Sequence, residues 1–153
     1  MGARFDSIGD DRIRATLPAA ERAFLTDVLG MLGSIGDEPD DPGAARINPP
    51  AYLGDDEAAA EWRRLMGSQL EDSRSRDREA LARIIELGEA DLEPSEALSV
   101  LRVVNEARLV LAARLGVEVP DDYEDLDLGS SIALHVLGVL VEDLAEALSD
   151  GLD

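Results

Sequence analysis

The chain contains no cysteine and no lysine; all 14 of its basic residues are arginine. Without cysteine, disulfides, thiolate metal sites and thiol redox sensing are excluded. It has one histidine, His135, and aromatic residues make up only 3%. Scarce aromatics leave the core to Leu, Val, Ile and Ala, a composition that favours helices. No apolar run of about eighteen uninterrupted residues is present, so no membrane span is expected. The N-terminus MGARFDSIGDD lacks the apolar centre of a signal peptide. The expectation is a cytoplasmic protein. The phosphate-binding patterns G-x-x-x-x-G-K and G-x-G-x-x-G are both missing, and no cofactor is expected.

What is present is a 153-residue chain with 45% hydrophobic residues, enough for one core and one domain spanning 1–153. The formal net charge is −20. Such a field repels a phosphate backbone unless a basic face exists. The one arginine-rich run, RSRDR at 74–78, is surrounded by acids. Direct nucleic-acid binding is therefore disfavoured. Residues 117–153 hold eleven acids and no arginine. They read either as a solvated acidic rim or as a docking face for a basic partner.

The pattern predicts a mainly all-α fold, a bundle of four to five helices with an optional short N-terminal β-hairpin. Residues 3–16 form that hairpin or a loose arm, turning at Gly9-Asp10-Asp11. A helix is expected over 18–33, carrying Phe24, Val28, Met31 and Leu32. The Pro/Gly-rich segment 34–54 reads as a loop with one short turn near Ala44–Ile47. A helix then starts at Asp55 or Asp56, with Trp62 central in its apolar stripe. It either continues through the polar run EDSRSRDRE (71–79) or breaks near Ser73–Ser75. Gly88 is its stop. The next helix runs from about Pro94 to Leu115 and ends at Gly116. An acidic loop, 117–129, precedes a last helix from Ser130 or Ser131 to about Ser149.

The helix containing NEARLVLAARLG (105–116) is apolar around nearly its whole circumference, which predicts a central position. Asn105 and Arg108 fall on its buried side, whereas Arg102 and Glu106 fall outside and can pair at i,i+4. A buried guanidinium needs a carboxylate. Glu61, beside the Trp62–Leu65 stripe, is the first candidate and Glu57 the second. The Tyr52 hydroxyl or loop carbonyls can satisfy Asn105. The set Tyr52, Glu57, Glu61, Asn105 and Arg108 reads as a packing network or as a ligand pocket. Trp62 reads as a core anchor, the alternative being a groove for a partner's helix. His135 falls on a polar face with no nucleophile to serve. DDYEDLD (121–127) supplies oxygens without the spacing of a calcium loop, so no metal site is expected beyond a weak cation contact. No catalytic constellation emerges, and an enzyme is not expected.

Two motifs carry a resemblance. The run DP…NPPAYLGDDEAAAEWRRL (Asp41-Pro42, then 48–65), followed by NEARLVLAARLGV, resembles an actinobacterial family of small cytoplasmic proteins. The family is catalogued as a domain of unknown function and includes AosR-like oxidative-stress regulators. The matching positions are Pro50, Ala51, Tyr52, Asp56, Glu57, Glu61, Trp62 and Arg63, then Asn105, Glu106, Arg108, Leu109, Arg114, Leu115 and Gly116. The resemblance implies a transcriptional regulator working through protein contacts, with a sigma factor or a Clp-protease component as partner. The redox role in that family uses paired cysteines, which this chain lacks, so that part does not carry over. The leading expectation is a non-catalytic regulatory protein. The alternatives are a Clp-linked adaptor and a small-molecule-binding domain with its pocket at Glu61, Asn105 and Arg108. Ile132 and Val139 extend the apolar arc of the last helix beyond one face, which also allows a homodimer.

Overall fold

A computed structural model describes residues 4–35, 37–47 and 56–150. The described residues are mainly helical, forming five α-helices and a small antiparallel sheet. Strands β1 (Phe5–Gly9) and β2 (Arg12–Thr16) form the expected hairpin. Its turn has Gly9, Asp10 and Asp11 all at positive φ. Glycine enters that region freely, and aspartate is among the few side chains that tolerate it. A third strand, β3 (Glu89–Leu92), pairs with β2 in the register Ile13↔Leu92 and Ala15↔Ala90. Two-residue alternation puts Phe5, Ile13, Ala15, Ala90 and Leu92 in the core. Arg14 and Asp91 meet on the outer face at 2.9 Å.

Helix α1 (Ala19–Gly33) follows Pro18 and buries Leu25, Val28 and Leu32. The short α2 (Pro42–Ile47) occupies the loop region where one turn was expected. Helix α3 (Asp56–Leu87) runs unbroken for 32 residues, straight through the polar 71–79 run. It ends at Gly88, whose φ of +75° reverses the chain into β3. The Arg22 guanidinium on α1 closes that end, donating to the Ile85 and Glu86 carbonyls at 2.6 and 2.9 Å. A cation there also complements the helix dipole.

Helix α4 (Pro94–Arg114) is central, packing against α1, α2, α3, α5 and two strands. Its buried residues are Ala97, Val100, Val103, Val104, Ala107 and Val110. These small aliphatics let several neighbours approach one axis. A short 3-10 turn (Pro120–Asp125) leads to α5 (Leu128–Asp150). The α5 residues Leu134, Leu137, Leu140, Leu144 and Ala147 are buried. Each leucine so buried stabilises the fold by about 1.5–3 kcal/mol. By length and composition α5 could cross a membrane, with mean hydropathy 1.5 over its best window. This departs from the sequence expectation, which sought an uninterrupted apolar run. That stretch of α5 includes Glu142 and Asp143, and only 22% of it is buried inside the fold.

Candidate functional site

Of the side chains expected to form one network, the structure brings two together. Asn105 and Arg108 do meet, with Arg108 Nη2 donating to Asn105 Oδ1 at 3.2 Å. Both are half-buried. The guanidinium leans toward α5, with Nη1 3.9 Å from where a Cβ would stand on Gly138. Glu61 is not its carboxylate. Glu61 is exposed and forms an ion pair with Arg64, one turn away on α3. Glu57 is exposed too. Arg108 needs no buried anion because its charge keeps partial access to water, so the desolvation cost that demanded a partner is not incurred. Tyr52 and the Trp62 side chain lie outside the described residues.

The pairing of Arg102 with Glu106 is also corrected. Both residues reach across to α3 instead. Arg102 binds Asp77 through Nε and Nη2, each at 2.9 Å, and also contacts Ser99 Oγ at 3.2 Å. Glu106 accepts from Arg78 at 2.9 Å and lies 3.7 Å from Arg74. Arg83 and Glu96 add a further bridge at 2.6 Å. The polar run 71–79 is thus half of a charged seam between α3 and α4. Asp77 is 7% exposed. Burial disfavours its ionised form, yet hydrogen bonds from Arg102 and Ser99 outweigh that, and its carboxyl lies below the ordinary carboxylate value. A planar guanidinium matching both carboxylate oxygens fixes the rotation of one helix against the other.

A second charged tie fixes α2. Asp41 accepts from Arg114 Nη2 at 2.7 Å and Nε at 3.1 Å, while Ser34 Oγ accepts from Arg114 Nη1 at 3.2 Å. The same carboxylate receives the Gly43 amide at 2.9 Å. Gly43 is required here, since a Cβ would come within 2.7 Å of Val110 Cγ1. Beside this tie lies a groove of about 520 Å³, floored by Leu109, Ala112 and Ala113 of α4 and rimmed by Arg46 and Glu118. At the other end of α5, Asp143 Oδ2 takes the backbone N–H groups of Arg4 and Phe5 at 2.7 and 3.0 Å, anchoring β1.

The acidic loop is likewise occupied locally. Asp122 accepts the Glu118 and Val119 amides, and Asp127 accepts the Ser130 amide as an N-terminal cap of α5. These backbone donors lower both carboxyl pKa values. Among the described residues no group of three or more potential ligands could hold a metal ion.

Among the described residues, nothing covers a row of aliphatic side chains on α5. On α5, Leu128 is 77% exposed, Ile132 52% and Val139 46%. His135 is exposed between them, and Glu142 and Glu146 continue the same line. At 100° per residue these six positions fall in an arc of about 80°. That arc lies opposite the face carrying Leu137 and Leu144. The sequence singled out Ile132 and Val139 but missed Leu128, because the helix starts two residues earlier than expected. It also missed the Asp77–Arg102 and Asp41–Arg114 pairs. The signal for Asp77 was its place as the lone acid among the arginines of 74–78.

A family model described as a domain of unknown function, DUF2017, matches residues 2–148. No curated protein and no solved structure matches the chain.

Proposed function

Since the chain belongs to the DUF2017 family, whose function is unknown, we propose that it is a non-catalytic regulatory protein acting through protein–protein contacts on the outward face of α5. The observation that carries this reading is the row of exposed aliphatic side chains, Leu128, Ile132 and Val139. Three such residues aligned over three turns, opposite the core face, form a patch of the kind that marks interaction sites. The acidic surface around them argues against nucleic acid and in favour of a protein partner.

In its finer form, the proposal is a cytoplasmic transcriptional regulator of the AosR-like kind, without thiol sensing, contacting a sigma factor. A Clp-system component is the other partner class the sequence resemblance supplies. A second reading, small-molecule binding, is favoured by the groove between α2 and α4. The pocket expected at Glu61, Asn105 and Arg108 lacks such support, because Glu61 turns to Arg64.

The test is affinity capture from native cytoplasm with the tagged chain and with an Ile132→Ser/Val139→Ser variant. Circular dichroism verifies that the variant is folded. The proposal expects a captured protein that the variant loses. Undiminished capture by the variant would refute it.

A further inference from the structure

The occupant of the α5 stripe can be narrowed by charge. This inference rests on the reading that the stripe is a protein-contact face. The aliphatic part, Leu128 to Val139, spans about 17 Å of helix axis at 1.5 Å per residue. Its two ends are both acidic. Asp127 stands at one end, directly after the acidic 3-10 turn, and Glu142 and Glu146 continue it at the other. No arginine occurs anywhere in residues 117–153 to neutralise them. The nearby carboxylates that are internally satisfied, Asp122, Asp127 and Asp143, are held by backbone amides rather than by cations. Glu142 and Glu146 are exposed.

A second copy is a poor complement to this face. An antiparallel pairing about the stripe would set Glu142 and Glu146 of one copy near Asp127 of the other, and would bring together two chains of net charge −20. We infer that the stripe instead takes a basic amphipathic helix, with about three turns of aliphatic side chains flanked at both ends by arginine or lysine. Apolar contact supplies affinity, and the flanking charges set register and speed of encounter.

The probe is an 18-residue acetylated, amidated peptide with leucines at helical spacing and arginines at both ends. Its controls are the same peptide with glutamates replacing the arginines, and one of the same composition with leucines scattered. Each is titrated into the full, isotope-labelled chain, and amide shifts are mapped by NMR. The expected result is shifts centred on residues 128–146. Ile132→Ser/Val139→Ser should weaken binding about tenfold or more, corresponding to about 1.4 kcal/mol. Glu142→Gln/Glu146→Gln should weaken it and flatten its salt dependence, because fewer charges remain to be screened.

Shifts spread over the whole acidic surface, equal binding of the scattered-leucine peptide, or shifts centred on the α2–α4 groove would each overturn the inference. So would concentration-dependent dimerisation abolished by Ile132→Ser/Val139→Ser, which would make a second copy the occupant. The capture experiment separates this inference from the reading beneath it. If the captured partner depends on the stripe but contacts it through an acidic or neutral segment, by cross-linking, only the basic-helix inference fails. If capture ignores the stripe, both fail.

Discussion

The 71–79 run of α3 and the outer stripe of α5 are opposites in pattern and in fate. The first is polar all round and would pass for a solvated segment, yet Asp77, Arg74 and Arg78 meet complements on α4. The second is apolar where solvent should be, yet finds no complement among the described residues. Side-chain character alone does not separate surface from interface. What separates them is whether the rest of the chain supplies the matching group. For the charged run it does, at 2.9 Å for both Asp77–Arg102 and Arg78–Glu106. For the aliphatic stripe no described residue does, and the proposal assigns the match to another molecule.

Four variants test this contrast. The largest effect is expected on the inner face of α5. Leu137→Ala removes a fully buried side chain and should cost about 2–5 kcal/mol in denaturant unfolding. Next is the charged seam. Asp77→Ala should cost about 1–2 kcal/mol, the loss of charge-assisted hydrogen bonds, moderated because Arg102 remains more than half exposed and is not stranded. The same variant tests the pH response. The depressed Asp77 carboxyl contributes stability that is fully present above its ordinary value of 3.8 and lost as pH falls through the lower folded-state value. Unfolding midpoints measured below about pH 4 should therefore fall less steeply for Asp77→Ala than for the parent. Third, Asp127→Ala removes the cap on the Ser130 amide and should cost about 1 kcal/mol by thermal unfolding. Smallest is the stripe itself. Ile132→Ser/Val139→Ser should change stability by only about 0.5 kcal/mol or less, because both side chains are already largely in water.

The long-range pairings explain what the sequence could and could not reveal. Helical periodicity placed α1, α4 and α5, and Gly88 and Gly116 do mark helix ends, both at φ +75°. The hairpin was readable because its turn chemistry is local. Strand β3 was not, since EADL is four residues long and becomes a strand only by pairing with β2. The central position of α4 followed from its all-round apolarity. Its polar partners did not follow. Angular position says which way Arg102 and Glu106 point, but not that α3 stands there with Asp77 and Arg78. The nearest carboxylate along one helix therefore looked like the partner, and the better-fitting one across the seam was chosen by the fold. Glu61 was assigned to Arg108 by the same local reasoning and is instead held by Arg64. The groove beside α2 was invisible because it forms only where α2 packs on α4, two elements far apart in the sequence.

The central claim is that the outward stripe of α5 is a contact face whose complement lies in another protein. Its most direct test is photo-cross-linking in the native cell, with a benzophenone side chain placed at position 132 and, for comparison, at the exposed position 75 on α3. The account predicts a discrete adduct with a different protein from position 132 and none from position 75. Adducts only between copies of this chain, or the same diffuse labelling from both positions, would contradict it.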